Sequence, residues 1–290
     1  MNLHPKMVRL KRGNLRKSLE AVFGLALISC FIATTGGSLD NSKAHAGTVP
    51  HGDFMGATVS FNGVTESSTT DNVPLYGTPI AIGDTLSFFD PVPLPNPSLG
   101  FGAFSAGGLG DITDGFLSFR VMSKPGFGIT SLEIAEGGDY SLDALGPALA
   151  KVTANLIVTE IAITHVDGVP INPIVKTNSL DTVSFEIPAD PSVGLWDLQT
   201  HFDVPQLLND AGVTFAIGAT KITVKVNNTL SSLSQPGASG VIVKKSFDVD
   251  VDTEYVSIPV PEPETWALAM LGLAMTVVVR KCKGGEASAA

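Results

Sequence analysis

Between residues 47 and 258 the chain repeatedly alternates apolar and polar residues, and this two-residue period limits the possible folds more than any other feature. Successive side chains of a β-strand point to opposite faces, so alternation is typical of strands with one buried face. The alternating runs are residues 59–61, 117–121, 132–134, 183–187 and 222–226. A helical bundle would not tolerate the 30 glycines and 19 prolines of this chain. The sequence therefore predicts an all-β body.

One longer run, residues 152–163, changes the parity of its apolar positions near Thr159. A β-bulge at that residue would explain the change, and so would a strand that passes from one sheet to another. One short segment, 203–209, predicts a helix of one or two turns with Asp203 as its N-cap and Pro205 in its first turn.

Turn signals separate the predicted strands. They are Gly83-Asp84, Gly107-Gly108, Gly137-Gly138, Asp167-Gly168 and Pro236-Gly237. We expect a single antiparallel β-sandwich, jelly-roll-like, with about eight to ten strands over residues 47–258.

The charge of this body excludes one class of partner. Residues 47–261 contain 23 acidic and 8 basic residues, a formal charge of −15. A surface of that sign repels nucleic acids, so no nucleic-acid partner is expected. The two cysteines, Cys30 and Cys282, both lie outside the body, which can therefore form no disulfide and must depend on its core for stability.

The N-terminal 46 residues have the features of a secretory signal peptide. Basic residues between Lys6 and Lys17 precede an apolar run, 21–33, that is too short to span a bilayer comfortably. Ala44 and Ala46 then place small residues at both cleavage positions, which predicts a mature chain that starts at Gly47. A buried N-terminal helix is the alternative. The residues before Cys30 also fit a lipoprotein box loosely, although the apolar run continues past that cysteine.

The C-terminal residues, 259–290, combine several membrane-related signals. Pro261-Glu262-Pro263 precedes an uncharged run, 265–279, and Arg280, Lys281 and Lys283 follow it. Prolines keep the preceding segment extended, the Trp266 ring suits a membrane interface, and the terminal cations obey the positive-inside rule. A 15-residue helix is about 22 Å long, shorter than the ~30 Å hydrocarbon core of a bilayer.

This arrangement resembles the PEP-CTERM sorting signal of bacteria with an outer membrane. The resemblance implies export by the secretory machinery, a precursor held at the membrane by its C-terminal helix, and processing by an exosortase-type membrane peptidase. It implies a final location in the cell envelope, at the outer surface or in the extracellular matrix. The extension 284–290 beyond the basic cluster departs from the family pattern. An ordinary C-terminal anchor helix is the alternative interpretation.

The body offers one constellation of candidate metal ligands. Alternation places Asp248, Asp250, Asp252 and Glu254 on one face of a strand, with Val249, Val251 and Tyr255 on the other. Carboxylates spaced about 7 Å apart repel one another, and Ca²⁺ would relieve that repulsion. The positions do not satisfy an EF-hand loop. The alternative is a solvated edge strand whose charges prevent aggregation.

No recognisable catalytic motif occurs in the body. The pairs His165/Asp167 and His201/Asp203 lack metalloprotease spacing, and His51 lies close to the predicted mature terminus, where disorder is the default. We expect Trp196 in the core rather than on a sugar-stacking surface. The sequence thus predicts a non-enzymatic structural protein without a cofactor. A carbohydrate- or calcium-binding envelope module, with extracellular polysaccharide as partner, is the alternative.

Overall fold

A computed structural model describes residues 47–89, 100–257 and 270–271. Their strands and single helix are β1 (Gly47–Met55), β2 (Val59–Ser68), β3 (Thr78–Ile82), β4 (Thr85–Phe89), β5 (Gly102–Ala106), β6 (Gly110–Ser123), β7 (Phe127–Ala144), β8 (Ala150–Val166), β9 (Val169–Lys176), β10 (Ser179–Ile187), β11 (Val193–Asp203), α1 (Val204–Asp210), β12 (Ala219–Ser234) and β13 (Ala238–Tyr255). The predicted all-β body is confirmed. It has more strands than expected, because strands of five residues such as β3 and β5 are too short to show a period.

All thirteen strands belong to one antiparallel sheet, which follows the order β1-β2-β6-β12-β7-β13-β4-β3. Strand β8 pairs with the free side of β12 and carries β9 and β10 on its outer side, while β11 pairs with β7 and β5 with β13. The link between β12 and β7 is a single bridge, Ala219 to Ile129. The sheet is nearly closed and barrel-like. The strands connected through β12 form one group, those connected through β7 form the other, and the core lies between the two groups.

Contacts between the outer strands of the two groups close the sheet on both sides. Between β10 and β11 the Ser179 and Thr200 hydroxyls are 2.8 Å apart, and the Tyr140 and Phe185 rings stack with their centroids 3.9 Å apart. On the other side, the Ala57 N–H donates to the Gly83 carbonyl over 2.9 Å. The core between the two groups is dominated by Val, Leu, Ile and Phe side chains of the alternating strands, the residue types that bury best.

The predicted bulge and helix are both confirmed. Glu160 faces Lys225 and Val158 faces Val226, so Thr159 is the extra residue in β8. Helix α1 begins after Asp203, whose carboxylate accepts the Gln206 N–H over 2.8 Å, and a proline occupies its first turn. Both features are local, because a change of parity and an N-cap depend only on neighbouring residues.

Four of the five predicted turns are confirmed by glycines with positive φ: Gly83, Gly107, Gly168 and Gly237. The turn at Gly137-Gly138 is wrong, because both residues lie inside β7. A Cβ at Gly138 would stand 1.9 Å from the Val243 carbonyl oxygen and 2.9 Å from the Trp196 ring. Glycine is needed here for the close approach of a neighbouring strand and an aromatic ring.

The predicted terminal sites lie outside the described residues: Ala44, Ala46, Pro261, Glu262, Pro263, Trp266, Arg280 and Lys281. Gly47, the predicted first residue of the mature chain, is the first described residue and pairs with Ser68 of β2. In the predicted tail helix only Met270 and Leu271 are described, and both are helical and exposed. Within the described ranges, no helix has the length and apolar character that crossing a membrane requires.

Candidate functional site

The predicted acidic strand is β13, and its alternation is largely as expected. Val249 and Val251 are buried, whereas Asp250, Asp252 and Glu254 are exposed and Asp248 is half-buried. Tyr255 differs from the prediction: it is 63% exposed and packs on Phe127, with ring centroids 5.3 Å apart. The edge-strand interpretation is wrong for Asp248 and Asp250, where β13 pairs with β7 on one side and with β4 on the other. Asp252 and Glu254 lie in the last part of β13, which pairs with β7 alone.

The carboxylates of this strand are spread along the exposed face. Asp250 accepts the Thr85 hydroxyl over 2.6 Å, and Asp252 accepts the Ser131 hydroxyl over 2.8 Å. Asp250 also lies opposite Glu133 in the β7–β13 register. In the part of the chain that the structure describes, no group of three or more His, Cys, Asp or Glu side chains is arranged to hold a metal ion.

The two predicted His/Asp pairs do not form acid–base sites. The Asp167 carboxylate accepts the backbone N–H groups of Ala216, Ile217 and Gly218 over 2.9, 2.7 and 2.9 Å. Burial alone would raise the pKa of Asp167, but these three donors outweigh it and lower the pKa. The neighbouring His165 has its Nδ1 3.2 Å from the Thr164 hydroxyl.

Asp203 caps helix α1, so its carboxylate has a structural partner rather than a catalytic one. His201 Nδ1 lies 3.9 Å from a carboxylate oxygen of Glu133 on the exposed face of the sheet. Trp196 is 3% exposed and donates its indole N–H to the Asp139 carbonyl over 3.3 Å, which confirms its predicted place in the core.

The most unusual chemistry lies inside the sheet, at residues for which the sequence predicted no site. We call them the core charge cluster: His51, Glu66, Tyr76, Glu136 and Lys244. Lys244 Nζ lies 2.7 Å from Glu136 Oε2, and the two side chains are 4% and 0% exposed. Burial raises the pKa of Glu136 and lowers that of Lys244, and each charge offsets part of the shift of the other.

Aromatic rings surround the Lys244 ammonium group. It lies 3.9 Å from the ring centroid of Phe101, 4.8 Å from that of Tyr76 and 5.3 Å from that of Phe247. The negative face of an aromatic ring attracts a cation, and the attraction is stronger where water is excluded. A cavity of about 20 Å³ lies beside the ammonium group, lined partly by Leu75 and Phe88. It has room for roughly one water molecule.

A second carboxylate of the cluster, Glu66, ties β1 to the loop before β3. Its Oε1 accepts the backbone N–H groups of Leu75 and Tyr76, the latter over 3.2 Å. Its Oε2 lies 3.0 Å from His51 Nε2. The prediction of disorder near His51 is wrong, because this contact and the edge of the Phe88 ring, 6.1 Å away between centroids, hold the imidazole in place.

Tyr76 connects the cluster to β6 and β12. Its hydroxyl donates to the Gly115 carbonyl over 2.9 Å and lies 3.1 Å from Asn228 Oδ1. Burial raises the pKa of Tyr76 well above its ordinary value, and the charges of Glu136 and Glu66 raise it further. The tyrosine therefore stays neutral and acts as a hydrogen-bond donor within the core.

Local backbone geometry turns both charged side chains inward. Glu136 shares the parity of Leu132 and Ile134 on the buried face of β7. In β13, Lys244 faces Gly138 and Ser246 faces Gly137, so Lys245 is the extra residue of a bulge. This bulge allows Lys244 and Phe247, three positions apart, both to face the core. The sequence contained one signal for this cluster, because Glu136 has the same parity as the apolar residues Leu132 and Ile134.

Comparisons with known proteins assign no family. No protein-family model matches the chain, and no curated protein matches it. Among solved structures, one similarity is to a chain of the "Structure of infectious bursal disease virus Gt strain", at 13% identity and a TM-score of 0.15. The match covers 72% of this chain and 57% of the viral chain. A TM-score at that level carries no argument about fold or function.

Proposed function

We propose that this chain is an exported, non-enzymatic structural protein of the cell surface or extracellular matrix of a bacterium with an outer membrane. The observation that carries the proposal is the position of the core charge cluster. Its carboxylates and ammonium group lie inside the sheet, where they connect β1, β2, β7 and β13 and are shielded from a polymeric substrate. Such a cluster contributes to the cohesion of the body rather than to turnover.

The sorting segments support the same proposal. The described sheet runs from Gly47 to Tyr255, between the predicted cleavage site and the motif at Pro261, Glu262 and Pro263. The proposal of processing at both ends rests on the sequence features of residues 1–46 and 259–290. For the body we propose a jelly-roll-like β-sandwich, since its two strand groups are joined by only one bridge.

Terminal-peptide mass spectrometry of the protein from its native host, with membrane and medium analysed separately, tests the proposal. We expect a product that begins at Gly47 and ends near Pro263. Replacing Pro261, Glu262 and Pro263 together by alanine should block removal of the tail. The matched control, Glu264→Ala, should be processed normally. A wild-type product that keeps residues 266–290 in the membrane would make the tail a plain anchor and contradict the sorting proposal.

A calcium- or carbohydrate-binding envelope module is the second candidate. The observation that favours calcium is the like-charge pair Asp250 and Glu133, directly opposite each other on neighbouring strands. Such pairs are destabilising, and a divalent cation would offset the repulsion. Ca²⁺ should then raise the melting temperature of the wild-type protein, and less so that of Asp250→Asn. Asp210→Asn, on α1, is the control. An unchanged melting temperature in EDTA, together with no calorimetric binding of Ca²⁺ or matrix polysaccharide, would remove this candidate.

A further inference from the structure

Lys244 and Glu136 are in close contact, but no other described group hydrogen-bonds to the charged end of either side chain. Lys244 Nζ and Glu136 Oε2 are only 2.7 Å apart. Within the described residues, neither oxygen of Glu136 has any other hydrogen-bond donor, and Nζ has no other acceptor. A buried ion pair compensates for its lost hydration only when further hydrogen bonds satisfy both partners. This pair has none.

The surroundings favour the uncharged forms of both groups. Burial of both side chains in the core disfavours separate charges and shifts the pKa of each partner toward neutrality. A neutral amine is a nucleophile, and a protonated carboxyl group is an electrophile. The sheet holds them in contact, so their reaction avoids the entropic cost of an encounter between separate molecules.

We propose that Lys244 and Glu136 condense into an intramolecular amide that cross-links β13 to β7. A bond forms between Lys244 Nζ and Glu136 Cδ, and the bond from Cδ to one carboxyl oxygen breaks. That oxygen leaves as water, with the carboxyl proton and one proton from Nζ. No oxidant, reductant or cofactor is required. The small cavity beside Lys244 accommodates the released water molecule.

The cross-link would remove two buried ionisable groups and close a long loop between two central strands. Lys244 and Glu136 are 108 positions apart in sequence, and a covalent closure of that size restricts the unfolded chain. The body contains no cysteine, so a disulfide cannot supply this restraint. Amides also resist reduction, unlike disulfides. The inference concerns the described body alone and stands independently of export and tail processing.

Tryptic peptide mapping of the purified full-length protein tests the inference. Trypsin cuts after Lys and Arg but not before proline, so Glu136 lies in peptide 121–151 and Lys244 normally ends peptide 226–244. Cross-linking blocks cleavage after Lys244. We therefore expect a branched peptide that joins 121–151 to 226–245 and is one water molecule lighter than the sum of its parts. Fragmentation should place the bond at Glu136 and Lys244.

Two variants complete the experiment. Lys245→Arg changes the adjacent, half-exposed residue and should keep the branched peptide, whereas Lys244→Arg removes the amine and should abolish it. The wild-type map decides the question even if Lys244→Arg fails to fold. Separate linear peptides 121–151 and 226–244 from folded wild-type protein would overturn the cross-link, and so would persistence of the branched peptide in Lys244→Arg.

Discussion

At the scale of single residues, Lys244 and Glu136 are a lysine and a glutamate in close contact whose side chains are only 4% and 0% exposed to water. Removing one partner of a buried pair leaves the other charge without compensation, which costs about 3–5 kcal/mol in comparable cases. Replacing both residues by apolar ones leaves no uncompensated charge and so avoids this loss of stability. The exposed pair of Lys225 and Glu160, 2.8 Å apart and about half exposed at the lysine, provides a contrast on the same protein.

We predict that Lys244→Met lowers the free energy of unfolding by about 3–5 kcal/mol, because Glu136 is then buried alone. Lys244→Met combined with Glu136→Leu should be less destabilising than Lys244→Met by itself, whether the wild-type pair is ionic or cross-linked. Urea unfolding monitored by Trp196 fluorescence measures these differences. Lys225→Met is the surface control and should cost less than about 1 kcal/mol. Equal losses for Lys244→Met and Lys225→Met would contradict the importance assigned to burial.

The inward directions of Glu136 and Lys244 differ in how far the sequence indicates them. Glu136 has the parity of buried neighbours, so its inward direction is readable from β7 alone. The direction of Lys244 depends on the bulge at Lys245, which lies where β13 pairs with two glycines of β7. Its aromatic neighbours Tyr76 and Phe101 come from distant segments. A pattern within one segment cannot indicate such contacts.

At the scale of elements, three aspartates connect neighbouring segments of the chain by accepting hydrogen bonds from backbone N–H groups. Asp84 in the β3–β4 turn accepts the Thr58 and Val59 N–H groups over 2.7 and 3.1 Å. Asp114 of β6 accepts donors from the segment after β2, and Asp167 accepts three from residues 216–218. Partial burial would raise the pKa of each carboxyl group, but the hydrogen bonds outweigh it and lower all three. Ionised aspartate therefore stabilises the connections between strands.

These shifts predict acid sensitivity with a definite sign. A carboxyl group whose pKa is lower in the folded state contributes stability above its unfolded pKa, about 3.9, and loses it as the pH falls through the folded pKa. The free energy of unfolding should therefore fall between about pH 5 and pH 2. In Asp167→Asn, which does not titrate, the decline should be shallower. Denaturant titrations at several pH values measure it, and an identical slope in wild type and variant would contradict the role of Asp167.

At the scale of the whole molecule, stability should be graded from the interior strands to the margins. Strand β12 pairs along most of its length with both β6 and β8, whereas β9 pairs only with β8 and contains Pro170 and Pro173. Backbone hydrogen bonds in central, apolar strands open only with large-scale unfolding, while those at edges open locally.

Native-state hydrogen exchange measures this gradient. We predict the slowest exchange for the amides of residues 221–233 in β12 and of the paired parts of β7 and β13. Residues 169–176 of β9 should exchange much faster than those of β12, because only one neighbour protects them. Uniform protection across β9 and β12 would show that the sheet opens only as a unit and would contradict a stable centre with weaker margins.

The sequence by itself determined the β character of the body, the bulge at Thr159, the N-cap at Asp203 and most turns, because parity, capping and glycine conformation are local properties. The tertiary structure alone decided that β13 is a central strand, that Gly137-Gly138 lies under Trp196 instead of in a turn, and that Lys244 meets Glu136 inside the sheet. These features require strand pairing and packing between segments far apart in the chain. Partner choice among thirteen strands rests on burial and complementarity summed over the whole core, a quantity that no single segment contains.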